Sequence, residues 1–274
     1  MNILIVLGIA ASSMCLLWLS QSIALKLVHE QLAWPLRFTT RQPLVRWTSR
    51  VAVHVTWLTI LVGTPFALGI PPLDALHQAF PLPVPWREIA IAFSIMFFPS
   101  CLVYAFWIAM GWVRIEPQHD RATRHAKLLR RFFGPLPLAM LEEGVFRGVL
   151  LEQLLRSFPP SRAYTALAIG LSSAAFSAVH FIKQSYPGKP VWQPAYGLFI
   201  IGCLFGIAYV VGGRSLWLPI AMHAPAMFVV EVMRLYTVFQ GPPWLVGYGE
   251  WPQSGLIGTL LVSCMAVALV LLVR

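Results

Sequence analysis

The feature that most constrains this chain is a series of apolar stretches, each about 20 residues long, that recur along its length. No water satisfies backbone groups inside a bilayer, so a spanning stretch of this length must form an α-helix of about 30 Å. The composition agrees, because 58% of the residues are hydrophobic and only 11% are charged. We therefore predict an all-α, polytopic membrane protein.

The hydropathy pattern predicts about eight transmembrane helices. They are expected at residues 3–25, 51–70, 88–112, 133–156, 162–182, 194–212, 215–234 and 254–273. Proline-rich loops follow the second and seventh of these spans, and neither loop has enough apolar residues for a domain of its own. Residues 1–274 are therefore expected to form a single membrane domain.

The basic residues predict how the chain is oriented. Loops 1-2 and 3-4 are rich in Arg and Lys, whereas loop 2-3 carries only Arg87. The positive-inside rule then makes loops 1-2 and 3-4 cytoplasmic. The net charge of +10 is divided into short runs between apolar segments, so membrane lipid is expected as a partner and nucleic acid is not.

Three charged residues lie inside the predicted fourth span, where ionisable side chains are costly. Glu143 and Arg147 are four residues apart, so they share a helix face and can pair. Glu142 points about 100° away from Glu143. Counted from Arg131 at the expected membrane edge, Glu142 is roughly 16 Å deep. An ion pair that only holds helices together explains Glu143 and Arg147, but it leaves Glu142 unexplained.

Two histidines accompany this cluster. His180 ends the predicted fifth span, and His223 lies in the seventh between Pro219 and Pro225. Each histidine alone is more typical of a satisfied structural position. Three spans that each bring an ionisable group to membrane depth indicate one shared polar cavity.

These residues resemble the motifs of a known family. The patterns E-E-x-x-x-R (Glu142, Glu143, Arg147) and F-x-x-x-H (Phe176, His180), followed by an intramembrane His223, are similar to the three motifs of the CPBP family. That family includes CAAX-processing endopeptidases of the Ras-converting type, bacteriocin-processing and immunity proteins, and proposed sorting-signal proteases. The resemblance covers roughly residues 130–235, which would be the catalytic motif core.

The resemblance implies a glutamate-dependent intramembrane endopeptidase. It would act on a peptide or protein substrate that could be lipid-modified, in the bacterial inner (plasma) membrane. Glu142 would be the general base that activates water, and His180 would help to orient that water. Glu143 and Arg147 would support the site, and His223 would stabilise the oxyanion. No cofactor is expected, and two histidines with carboxylates make at most an incomplete zinc site, although a metal is not excluded.

One departure from the family pattern keeps a second function open. The family usually has a polar residue four positions after the third-motif histidine, whereas this chain has Met227, whose thioether cannot donate a hydrogen bond. The alternative is a non-catalytic binding or immunity protein of the same fold. A transporter is a third, weaker hypothesis, because no internal repeat is present. The sequence does not identify the substrate or the oligomeric state.

Overall fold

The protein is described by a computed structural model that covers residues 2–27, 43–182, 192–247 and 252–273. Long helices coincide with seven of the eight predicted spans. They are α1 (Asn2–Leu27), α2 (Pro43–Ala67), α4 (Trp86–Ala109), α8 (Arg162–Ile182), α9 (Trp192–Val211), α10 (Trp217–Tyr236) and α12 (Leu256–Val273). The remaining span is helical as well, but it is built from three consecutive segments.

Five of these helices, α4, α8, α9, α10 and α12, are long and apolar enough to cross a membrane, judged by length and composition over the described residues. Within α2, the apolar part is the shorter stretch Val51–Ala67. An all-α, multi-pass integral membrane protein is therefore supported. The count of eight spans stays a prediction.

Helix α2 begins eight residues before the predicted span. It starts at Pro43, and the fixed φ of proline suits the first turn of a helix. Arg46 and Arg50 consequently belong to the helix, although both lie before residue 51, where the predicted second span begins. Hydropathy missed this start because the first turns of α2 are polar.

The predicted fourth span changes helix type along its length. It consists of α6 (Pro135–Glu143), a π-helical segment (Gly144–Leu151) and α7 (Glu152–Ser157). At the junction a Cβ on Gly144 would lie 2.7 Å from a methyl carbon of Leu61, so α2 packs closely there. Such π-helical turns are rare and often occur at functional sites.

The connections contain structure that the sequence analysis did not predict. Loop 2-3 holds the short helix α3 (Pro72–Ala79), and loop 3-4 holds β1 (Val113–Ile115) and the basic helix α5 (Arg121–Phe133). After α10 come β2 (Thr237–Phe239), α11 (Pro243–Val246) and a single 3₁₀ turn, Pro252–Ser254. Strands β1 and β2 pair antiparallel, which joins loop 3-4 to the end of α10.

Helix α9 lies at the centre of the packing that positions the site. It contacts α8, α10 and α12, and α10 in turn packs on α4 and α6. Gly202 and Gly206 lie about one helical turn apart on α9, where it meets α8. A Cβ on Gly202 would lie 3.1 Å from Ser173, and one on Gly206 would lie 2.9 Å from Ile169, so α8 approaches α9 closely.

Candidate active site

Arg147 is fully buried at the centre of a polar cluster. Its Nη1 donates to Glu143 Oε1 at 3.0 Å, and its Nη2 donates to the carbonyl oxygen of Gly202 at 2.7 Å. The guanidinium carbon also lies 4.9 Å from the centre of the Phe176 ring and 5.4 Å from that of Phe205. The ion pair predicted for Glu143 and Arg147 is therefore present, and the bond from Arg147 to the Gly202 carbonyl oxygen connects the fourth span to α9.

His223 joins this cluster from α10. Its Nδ1 lies 2.7 Å from Glu143 Oε1, and its ring stacks on Phe205 with a centroid separation of 4.6 Å. Because the carboxylate oxygen is also bonded to Arg147, it accepts and the imidazole Nδ1 donates. The second nitrogen, Nε2, then points toward Glu142, whose Oε2 is 3.8 Å away.

Glu142 is 8% exposed and lies on the wall of a cavity of about 290 Å³. His180 and His223 line the same cavity, together with apolar side chains that include Leu198 and Phe205. The three ionisable groups come from α6, α8 and α10, so the structure brings them together as the sequence analysis predicted.

His180 is held by the turn of helix that precedes it. Its Nδ1 lies 2.7 Å from the carbonyl oxygen of Phe176, and the two rings are 4.7 Å apart. A carbonyl oxygen only accepts, so Nδ1 is the donor in this bond. This explains structurally why the two residues of the F-x-x-x-H motif are one helical turn apart.

Charged residues lie on the wall of the cavity toward the C-terminal end of α10. Glu231 pairs with Arg234 and also with Arg131, whose Nε is 3.1 Å from Glu231 Oε2. Met227 lines the cavity one turn after His223. Its thioether therefore occupies part of the wall where the family usually has a polar residue.

Comparison with known protein families agrees with this arrangement. Residues 126–229 match the family model described as type II CAAX prenyl endopeptidase, Rce1-like. The matched segment is 104 of the 274 residues and includes Glu142, His180 and His223. Searches of curated proteins and of solved structures each found no match.

Among the described residues, no group of three or more His, Cys, Asp or Glu side chains is placed to hold a metal ion. The described residues therefore do not form a zinc site, which needs three protein ligands.

Glu142 does not lie on one continuous helix that starts before Arg131. The expected depth of roughly 16 Å counts residues along such a helix, but α5 ends at Phe133 and a new helix begins at Pro135. Glu142 is therefore about 10 Å along the axis from the first residue of its helix. The site lies nearer to the end of the span that adjoins loop 3-4.

Three parts of the site are not predicted by any sequence pattern described above. Phe205 and the carbonyl oxygen of Gly202 hold His223 and Arg147, but no local pattern distinguishes them within an apolar helix. Gln253, in the 3₁₀ turn before α12, also lines the cavity. A polar side chain at the start of an otherwise apolar span was the available signal for Gln253.

Proposed function

We propose that this protein is a glutamate-dependent intramembrane endopeptidase in which Glu142 activates the attacking water. The observation that carries the proposal is the shared cavity of Glu142, His180 and His223, inside a segment that matches an endopeptidase family. A carboxylate and two imidazoles around a partly apolar cavity can supply a general base, a group that orients the attacking water, and a hydrogen-bond donor to the oxyanion.

In the proposed reaction, the Glu142 carboxylate takes a proton from water while the water oxygen attacks the scissile carbonyl carbon. His180, on the wall of the same cavity, orients this water through its imidazole ring. The carbonyl oxygen becomes an oxyanion, and the tetrahedral intermediate then collapses as the C–N bond breaks. Glu142 returns its proton to the leaving nitrogen, which yields a carboxylic acid and an amine. The acid then gives its proton to the amine, so the products are one carboxylate and one ammonium group.

His223 is the proposed donor to the oxyanion. In its protonated form Nε2–H can donate into the cavity, and the positive charge on the ring is stabilised by Glu143 at Nδ1. Arg147 in turn holds Glu143 in place. Glu143 and Arg147 therefore act as positioning residues, while Glu142, His180 and His223 are the catalytic ones.

The proposed substrate is a peptide that ends near the membrane and carries an apolar group. The matched family is described as CAAX prenyl endopeptidases, whose name refers to a prenylated cysteine near a C-terminus. Leu138, Leu198 and Ile201 give the cavity an apolar wall that suits such a group. Cleavage would release the residues that follow the modified cysteine.

The test uses the purified full-length protein in lipid nanodiscs. The probes are an internally quenched peptide that ends in a farnesylated cysteine and three further residues, and the same peptide without the farnesyl group. In ¹⁸O-labelled water, hydrolysis places one ¹⁸O atom in the new carboxyl group of the product, which mass spectrometry detects. We expect labelled product from the farnesylated probe, and absence of cleavage of both probes would contradict the proposal.

A second candidate function is favoured by Met227. A cavity wall without the usual polar donor would suit a protein that binds a peptide or lipid tail and does not cleave it. The same nanodisc preparation separates the two functions. Saturable binding of the farnesylated probe, with no labelled product, would select the binding function.

A further inference from the structure

The proposed mechanism lacks a second hydrogen-bond donor to the oxyanion at the part of the cavity wall that Met227 occupies. Oxyanion sites commonly use more than one hydrogen-bond donor, and the loss of one donor costs about 10²–10³ in kcat. His223 provides one donor, but the thioether of Met227 provides none. If the protein is a peptidase, a donor from elsewhere in the chain is needed at this cavity.

Gln253 is placed to be that donor. Gln253 is half-buried and lines the same cavity as Glu142, His223 and Met227, as well as a smaller neighbouring cavity of about 50 Å³. A carboxamide has two N–H donors and carries no charge, so it can serve an oxyanion at any pH at which the base is ionised. Within the described part of the chain, no protein group hydrogen-bonds the Gln253 side-chain amide.

The backbone around Gln253 is fixed by contacts on two sides. Gln193, on α9, donates from Nε2 to the carbonyl oxygens of Ser254 at 3.1 Å and Pro243 at 2.7 Å. Thr259, in the first turn of α12, donates from its hydroxyl to the carbonyl oxygen of Gln253 at 3.1 Å. The 3₁₀ turn that carries Gln253 is therefore bonded both to α9 and to α12.

Close packing of glycines adds to this rigidity. A Cβ on Gly197 would lie 2.8 Å from the Cα of Ser254, and one on Gly258 would lie 2.7 Å from the Cα of Gln253. The turn thus fits directly against α9 and the first turn of α12. These contacts fix the backbone position from which the Gln253 side chain extends, and a fixed position of the donor is the property that makes an oxyanion site effective.

From this geometry we infer that Gln253 is a further catalytic residue, whose side-chain amide donates a hydrogen bond to the oxyanion in place of a residue at position 227. The inference rests on the proposed peptidase function. Gln253 follows the segment that matches the family, which ends at residue 229. Its role is therefore assigned by the cavity and not by the family motifs.

The experiment compares kcat and KM of the wild-type protein with those of Gln253→Glu and Gln253→Leu, using the farnesylated probe in nanodiscs. Gln253→Glu keeps the size of the side chain but replaces the amide donor with a carboxylate. We expect kcat to fall by about 10²–10³ in both variants, with little change in KM, because the bond forms only as the oxyanion develops. The matched control is Gln240→Leu, which makes the same change at an exposed loop position.

A second measurement separates this role from a structural one. A phosphinate peptide mimics the charged tetrahedral intermediate, so its affinity should fall with kcat in Gln253→Glu, while the melting temperature stays near that of the wild type. Wild-type kcat in either variant, or a change confined to KM, would overturn the inference. So would unchanged phosphinate affinity. Each of these outcomes leaves Glu142-dependent cleavage intact, whereas absence of cleavage by the wild-type protein would contradict the peptidase function itself.

Discussion

Individual residues of the site divide into those that line the cavity and those that hold them. Glu143 and Arg147 are both fully buried, and each has more than one partner: His223 for Glu143 and the Gly202 carbonyl for Arg147. Breaking a buried ion pair leaves an uncompensated charge, whereas removing both charges can be nearly neutral for stability. Single and double substitutions can therefore separate the effect of this ion pair on stability from its effect on activity.

The first prediction concerns this ion pair. Arg147→Met leaves Glu143 unneutralised, so we expect the free energy of unfolding to fall by roughly 3–5 kcal/mol. The double variant Glu143→Leu/Arg147→Met should recover most of that loss but should not cleave the probe, because His223 loses its acceptor at Nδ1. Thermal unfolding and cleavage rates of the three proteins test this. A double variant with wild-type activity would contradict the positioning role.

At the scale of elements, the close approach of α8 to α9 brings His180 to the cavity. It depends on Gly202 and Gly206, where side chains of α8 fill the space that a Cβ would need. Gly170, on α8, differs because a Cβ there would have nothing within 4 Å. These glycines therefore allow the helix contact to be tested by matched substitutions.

The second prediction uses that contrast. Gly206→Ala places a methyl group against Ile169, and we expect it to destabilise the protein by about 1–3 kcal/mol and to lower cleavage activity. Gly170→Ala should be neutral or stabilising, since alanine is favoured in helices. Adding Ile169→Ala to Gly206→Ala should restore part of the stability. Equal melting temperatures for the two alanine variants would show that the contact is not tight.

The sequence predicted the helices better than it predicted their details. Lipid requires about 20 apolar residues per span, so hydropathy located the helices, but it does not report the change to π-helical hydrogen bonding at Gly144. It also misplaced the start of α2, whose first turns are polar. The pairing of Glu143 with Arg147 was predictable because it is local. The bond from His223 to Glu143 joins α10 to α6, and no spacing rule within one helix reveals it.

At the scale of the whole molecule, the cavity and loop 3-4 share one side. The backbone amide of Glu116 donates to the carbonyl oxygen of Tyr236 at 2.7 Å, so loop 3-4 is attached to the end of α10. Glu231 and Arg234, which line the cavity, lie in the last turns of that helix. The predicted cytoplasmic position of loop 3-4 would therefore open the cavity toward the cytosol.

The third prediction is this topology, in the inner membrane of a bacterial host. A fluorescent-protein fusion truncated after Gln118 should fluoresce, because loop 3-4 is expected on the cytoplasmic side. An alkaline phosphatase fusion truncated after Gly213 should be active, because that turn is expected on the other side. The controls exchange the two reporters, with alkaline phosphatase after Gln118 and the fluorescent protein after Gly213. If these control fusions were the active ones, the orientation would be the reverse of the predicted one, and the cavity would not open toward the cytosol.

The central claim is that the Glu142 carboxylate is the base. The most direct measurement is the initial rate of cleavage of the farnesylated probe by the wild-type protein, Glu142→Gln and Glu88→Gln, which makes the same change at an arginine-paired carboxylate in the first turn of α4. We expect the initial rate of cleavage to fall by about 10²–10⁴ in Glu142→Gln, because that is the usual contribution of general base catalysis. Its melting temperature and the rate of Glu88→Gln should match the wild type. Cleavage by Glu142→Gln at the wild-type rate would contradict the claim.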